Sequence, residues 1–174
     1  MNSIQGDLHL RNDHLNQVPA PAGSIRCALL AALLALATTS GLAASLYWDA
    51  NGSAAGAGGA TPIGTWGVDN FWSTAAVGNA ATVGWTPGEN AVFSASNDAT
   101  GTFTVNVTGT QVLGGLSVEE GNVTLSGGIL SLNAGASVSV AASRSLSLSS
   151  EIAGAGWAKI GGGNLSLNVA NSFT

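Results

Sequence analysis

The chain has 174 residues, enough for one domain with a modest core. It is rich in glycine (25 residues) and poor in charge, with four basic and nine acidic residues and a net charge of −5; a disordered low-complexity chain would carry more charge and fewer Val, Leu and Trp. From Leu46 onward only Arg144 and Lys159 are basic, which excludes the basic stripe of a nucleic-acid binder and the polybasic patch of a membrane-surface protein.

The first element in chain order is an apolar run at residues 27–37, CALLAALLALA, with Arg26 before it and the small residues TTSGLAAS after it. This is the pattern of a secretory signal peptide, here with a long n-region, and residues 1–45 are assigned to it. Cleavage is expected near Ala43, Ala44 and Ser45, where small side chains suit a signal peptidase. The competing reading, an uncleaved anchor, has an apolar stretch short of the about 20 residues that a membrane span needs. Cys27, His9 and His14 all lie in this leader. The exported part therefore has neither Cys nor His, so no disulfide, no usual zinc site and none of the commonest acid–base groups. No cofactor and no metal are expected.

Residues 46–90 form a Trp- and Gly-rich region, expected to be an N-terminal cap, with Trp48, Trp66, Trp72 and Trp85 and a flexible insert GSAAGAGG at residues 52–59. A Pro87-Gly88 turn then introduces two strand candidates, residues 91–94 and 102–108. Beyond them, apolar residues recur two apart around a Ser or Thr: Leu116/Val118, Val123/Leu125, Leu130/Leu132, Val138/Val140, Leu146/Leu148 and Leu165/Leu167. Such alternation puts the aliphatic side chains on one face and the hydroxyls on the other. Leu116, Val138 and Ile160 stand 22 apart, as do Leu130 and Ile152, and Val123 and Leu146 stand 23 apart. Three columns of short strands at this period predict an all-β fold, a right-handed parallel β-helix with about 22 residues per turn over residues 91–174. A β-sandwich or jelly roll is the alternative that strands at short spacing also allow.

The segment Lys159-Ile160-Gly161-Gly162-Gly163-Asn164-Leu165-Ser166-Leu167, followed by Asn171-Ser172-Phe173-Thr174, resembles the autotransporter-associated β-strand repeat, the passenger-associated transport repeat family. Its motif positions here are Lys159, Gly161, Gly163, Leu165, Leu167, Asn171 and Phe173, with Asn164 where the repeat usually has Thr. Tyr47-Trp48-Asp49, Gly64-Thr65-Trp66-Gly67, Asn70-Phe71-Trp72-Ser73 and Ala91-Val92-Phe93 resemble the N-terminal region common in such proteins. The resemblance implies an N-terminal fragment of a large exported bacterial passenger, cut at its C-terminus within the repeats. It also implies that further repeats of its own full-length chain are its first partners.

Catalysis is not expected. Glycoside hydrolysis needs two facing carboxylates, and the best pair on offer, Asp49 and Asp69, sits in turns where a backbone cap is the simpler role. Glu119-Glu120 reads as a solvated corner, and Gly161-Gly162-Gly163-Asn164 lacks the carboxylate of a calcium-binding repeat. The four tryptophans, Trp48, Trp66, Trp72 and Trp85, are read chiefly as a hydrophobic plug at the open end of the solenoid, and alternatively as a carbohydrate platform. The expected function is a non-catalytic structural segment of an exported surface or secreted protein, extracellular or at the outer membrane, with glycans or cell-surface molecules as candidate partners. A carbohydrate-binding module is the alternative, and a polysaccharide-degrading β-helix enzyme stands behind both.

Overall fold

A computed structural model describes residues 43–174; the apolar run at residues 27–37, expected to be part of a signal peptide, lies outside the described residues. The chain is a parallel β-solenoid of about four turns with roughly 22 residues per turn, and no helix occurs among the described residues. Its strands are β1 (Ser45–Trp48), β2 (Gly64–Trp66), β3 (Trp72–Ser73), β4 (Asn90–Phe93), β5 (Thr102–Val107), β6 (Thr110–Leu113) and β7 (Gly115–Val118). They continue with β8 (Asn122–Leu132), β9 (Ser137–Val140), β10 (Ser145–Gly154), β11 (Ala158–Ile160), β12 (Asn164–Leu167) and β13 (Ser172–Phe173).

Two sheets carry the coil. One runs β11-β9-β7-β4-β1-β3, the other β12-β10-β8-β5-β2, with β6 on β8 and β13 on β10. Every named strand pair is parallel except β1 with β3. Parallel in-register stacking follows from the alternation: each strand buries every second residue, so only registers that keep Leu, Val and Ile on one side fill the core. The columns Leu46–Ala91–Leu116–Val138 and Phe103–Val123–Leu146–Leu165 are such ladders, and all their members but half-buried Leu165 belong to the buried core.

The predicted strands at residues 91–94 and 102–108 appear as β4 and β5, each within one residue of its predicted bounds. Two predicted strand pairs merge. Val123/Leu125 and Leu130/Leu132 lie on the single 11-residue β8, which bends where Gly127 (φ 83°) and Gly128 (φ 49°) take the left-handed region. Three columns of strands thus make two sheets rather than three.

One column is corrected. Val138 pairs with Leu116 on one side as expected, but on the other with Lys159, while Ile160 pairs with outward-facing Ser139. The last coil is one residue shorter than the preceding one, so its side chains exchange faces. Ile160 is accordingly 49% exposed. The predicted flexible insert at residues 52–59 is tied down as well: Ala57 N donates to Asp98 Oδ1 (2.7 Å), Gly59 N to Asp98 Oδ2 (2.9 Å) and Ala50 N to the Ala57 carbonyl (2.9 Å). A single carboxylate 41 residues away closes the loop.

Candidate functional site

Aromatic side chains gather where the coil begins, because β1, β2 and β3 each end or begin on a tryptophan that faces the interior. Trp48, Trp66 and Trp72 are 0% exposed, and Trp85 is half-buried against them. The rings meet mostly edge to face, Trp48 on Trp72 at 5.2 Å, Trp66 on Trp72 at 4.9 Å and Trp66 on Trp85 at 4.9 Å, with Phe93 beside Trp48 at 5.7 Å. This geometry suits the quadrupoles of packed aromatic rings. Trp48 Nε1 donates to the Pro62 carbonyl (2.7 Å). A ring with no exposed face cannot stack on a sugar, so the four-ring carbohydrate platform is corrected: only Trp85 of the set retains a surface.

The acidic residues hold turns. Asp49 is buried, and its Oδ1 accepts from Asn51 N (3.0 Å). Burial raises its carboxyl above the ordinary value, and the nearby Asp98 charge pushes the same way, against hydrogen bonds from the Asn51 and Gly52 backbone. Asp69 Oδ2 accepts from Thr65 N (2.7 Å), which closes the turn after β2. Glu120 lies 3.8 Å from Arg144 at the corner predicted for the Glu119-Glu120 pair. Among the described residues no three His, Cys, Asp or Glu side chains are grouped to hold a metal ion.

The residues of the repeat-like motif act on the backbone of the coil. Lys159 Nζ donates to the carbonyls of Gly161 (2.5 Å) and Gly163 (2.6 Å), which fixes the corner between β11 and β12. Gly161 has φ 77°, and a Cβ there would lie 2.3 Å from the Val140 carbonyl oxygen; at Gly163 it would lie 2.2 Å from that of Ala141. The corner therefore sits directly on the preceding turn, an approach only glycine permits. Leu165 packs on the core, whereas Leu167 is 40% exposed. Asn171 Oδ1 accepts from Ile152 N (2.8 Å), satisfying a donor at the irregularity that β10 makes between Ser149 and Glu151. Phe173 meets Trp157 edge to face at 5.4 Å. The residues at which cleavage is expected also enter the fold: Asn90 N donates to the Ala44 carbonyl (2.8 Å) and Asn90 Nδ2 to the Ala43 carbonyl (2.9 Å), and Ser45 opens β1.

Sequence reasoning did not find a cavity of about 270 Å³ beside the aromatic cluster, bounded by Asp69, Asn70, Gly84, Trp85, Pro87 and Gln111. Its walls come from the two loops that flank β3 and from β6, so no local motif marks it. Trp85 Nε1 donates to the Val112 carbonyl (3.3 Å), and Gln111 Nε2 to that of Thr108 (2.6 Å). These bonds fix the ring and leave the Gln111 amide oxygen and the second oxygen of Asp69 for other partners.

No family model matches the chain, and no solved structure matches it. It is similar to the adhesin BmaC autotransporter of Brucella suis biovar 1 (strain 1330), with 31% identity over 159 residues, which is 90% of this chain. The chain spans about 4% of that relative's length.

Proposed function

We propose that this chain is a non-catalytic stalk segment of an exported bacterial surface protein of the autotransporter-adhesin kind, with Lys159 to Thr174 forming an autotransporter-associated β-strand repeat. The observation that carries this reading is the similarity to an autotransporter adhesin across nine-tenths of the chain. The solenoid supports it. Parallel coils add length by stacking, each turn burying the apolar face of the last, so the architecture makes a rigid spacer. The outward columns of Ser and Thr, such as Thr104–Thr124–Ser147–Ser166, give a hydroxylated, weakly charged surface suited to life outside the cell. Residues 1–45 serve as the signal peptide, residues 46–90 close the first coil with tryptophan, and residues 91–174 are repeats. The partners are further repeats of the same full-length chain and molecules of the cell surface.

The test is surface display in the native cell. An epitope inserted beside exposed Asn51, in the loop closed by Asp98, should be reached by antibody and by added protease on intact cells. The exported form should begin within a few residues of Ser45. An epitope detected only after the cells are opened, on a chain that retains Met1, would refute the proposal.

A further inference from the structure

We propose that the cavity beside Trp85 is a binding site for a single uncharged hexopyranose ring. The argument starts from what the cavity offers. One wall is an indole, half-buried and held by its own N–H bond and by packing at 4.9 Å on Trp66 and 4.7 Å on Trp72. A rigid aromatic face takes the C–H side of a pyranose with little loss of side-chain freedom. Facing groups are a carboxylate (Asp69) and two carboxamides (Asn70 and Gln111). Asp69 and Gln111 are already oriented, because each spends one polar atom on a backbone partner, Thr65 N and the Thr108 carbonyl respectively. Their remaining oxygens accept hydrogen bonds, and the Asn70 amide both donates and accepts, which matches the paired donor–acceptor character of vicinal hydroxyls.

Size and charge narrow the ligand. A volume of about 270 Å³ falls just under the about 300 Å³ at which ordinary small-molecule pockets begin. It accommodates one sugar ring. No Lys or Arg lines the cavity, and Asp69 supplies a negative charge. A uronate or another acidic sugar would meet repulsion with no cation to offset it. Glucose, galactose, mannose and their N-acetylamino counterparts carry no such penalty. Val68, 66% exposed at the rim, adds apolar surface where the ring would enter. The site goes beyond the stalk reading and does not depend on it, since a free solenoid fragment could bind sugar equally well.

Saturation-transfer NMR on the purified chain tests the proposal, with glucose, galactose, mannose and N-acetylglucosamine as probes and glucuronate as the charged control. At least one neutral sugar should receive saturation, strongest on its ring protons, and glucuronate should receive none at equal concentration. Asn70→Ala should weaken the binding at least about fivefold by removing a bidentate partner. Gly84→Gln should abolish it by filling the cavity: a Cβ there points at open space apart from Asn70 Oδ1 at 3.1 Å, so the fold is spared. Unchanged tryptophan fluorescence and melting in both variants would tie the loss to the site. No transfer to any neutral sugar, equal transfer to glucuronate, or transfer unaltered in the two variants would overturn it.

Discussion

Truncating Leu125 to Ala measures the ladder directly. Leu125 is wholly buried on β8, between Val105 of the preceding turn and Leu148 of the following one. The substitution removes three carbon groups worth about 0.8 kcal/mol each on transfer from water, about 2.4 kcal/mol in all. Both vertical neighbours are held by their own strands, so the hole cannot collapse, and the cavity term raises the cost to about 3–4 kcal/mol. The same truncation at Leu167, two turns along the same column from Leu125 and 40% exposed, should cost about 1 kcal/mol because much of that side chain already faces solvent. At Thr124, the neighbour of Leu125 that points outward, Ala should change stability by no more than about 0.5 kcal/mol. Urea denaturation followed by tryptophan fluorescence and by far-UV circular dichroism supplies the midpoints, at unchanged slope. Equal losses at Leu125 and Thr124 would mean that the assigned facing of β8 is wrong, and with it the parallel register.

Asp49→Asn should raise the melting temperature at neutral pH, by an amount that shrinks as pH falls toward 3.8, the carboxyl's ordinary value. The sign follows from burial: a raised folded pKa makes the protonated form the better fit, so the wild type loses stability as pH climbs from 3.8 through the folded value, and the amide does not. A gap that widens on acidification would refute this. Gly161→Ala should cost about 2 kcal/mol or more, since it combines a left-handed φ with a Cβ against the Val140 carbonyl, whereas Gly135→Ala, with φ 76° and open space around it, should cost about 1 kcal/mol. Val138→Asp should cost several kcal/mol by placing a carboxylate among the apolar side chains of the core, and Ser139→Asp well under 1 kcal/mol, both read from thermal melts.

Period-two alternation and the 22-residue recurrence pointed to a parallel coil, and the tertiary structure decided it against a sandwich. Both patterns are local consequences of chain geometry: a strand must alternate faces, and a stacked turn must return its apolar residues above their predecessors. Lys159 and the glycine corner were legible only through the resemblance to a known repeat, and the bonds from Lys159 Nζ to the Gly161 and Gly163 carbonyls come from the structure. Merger of two predicted strands into β8 was not legible, because glycine pairs are compatible with a break and with a bend, and only the continuous ladder to β10 selects the bend. The one-residue slip that pairs Lys159 with Val138 and turns Ile160 out was equally hidden. Coil length is settled by how corners pack on the turn below, an interaction between residues about 20 apart. The Asp98 clamp on residues 57 and 59 and the cavity at Trp85 belong to the tertiary structure alone, which also decided between plug and platform for Trp48, Trp66 and Trp72. Each arises where loops distant in sequence converge, and composition names the participants without saying which of their faces the fold will cover.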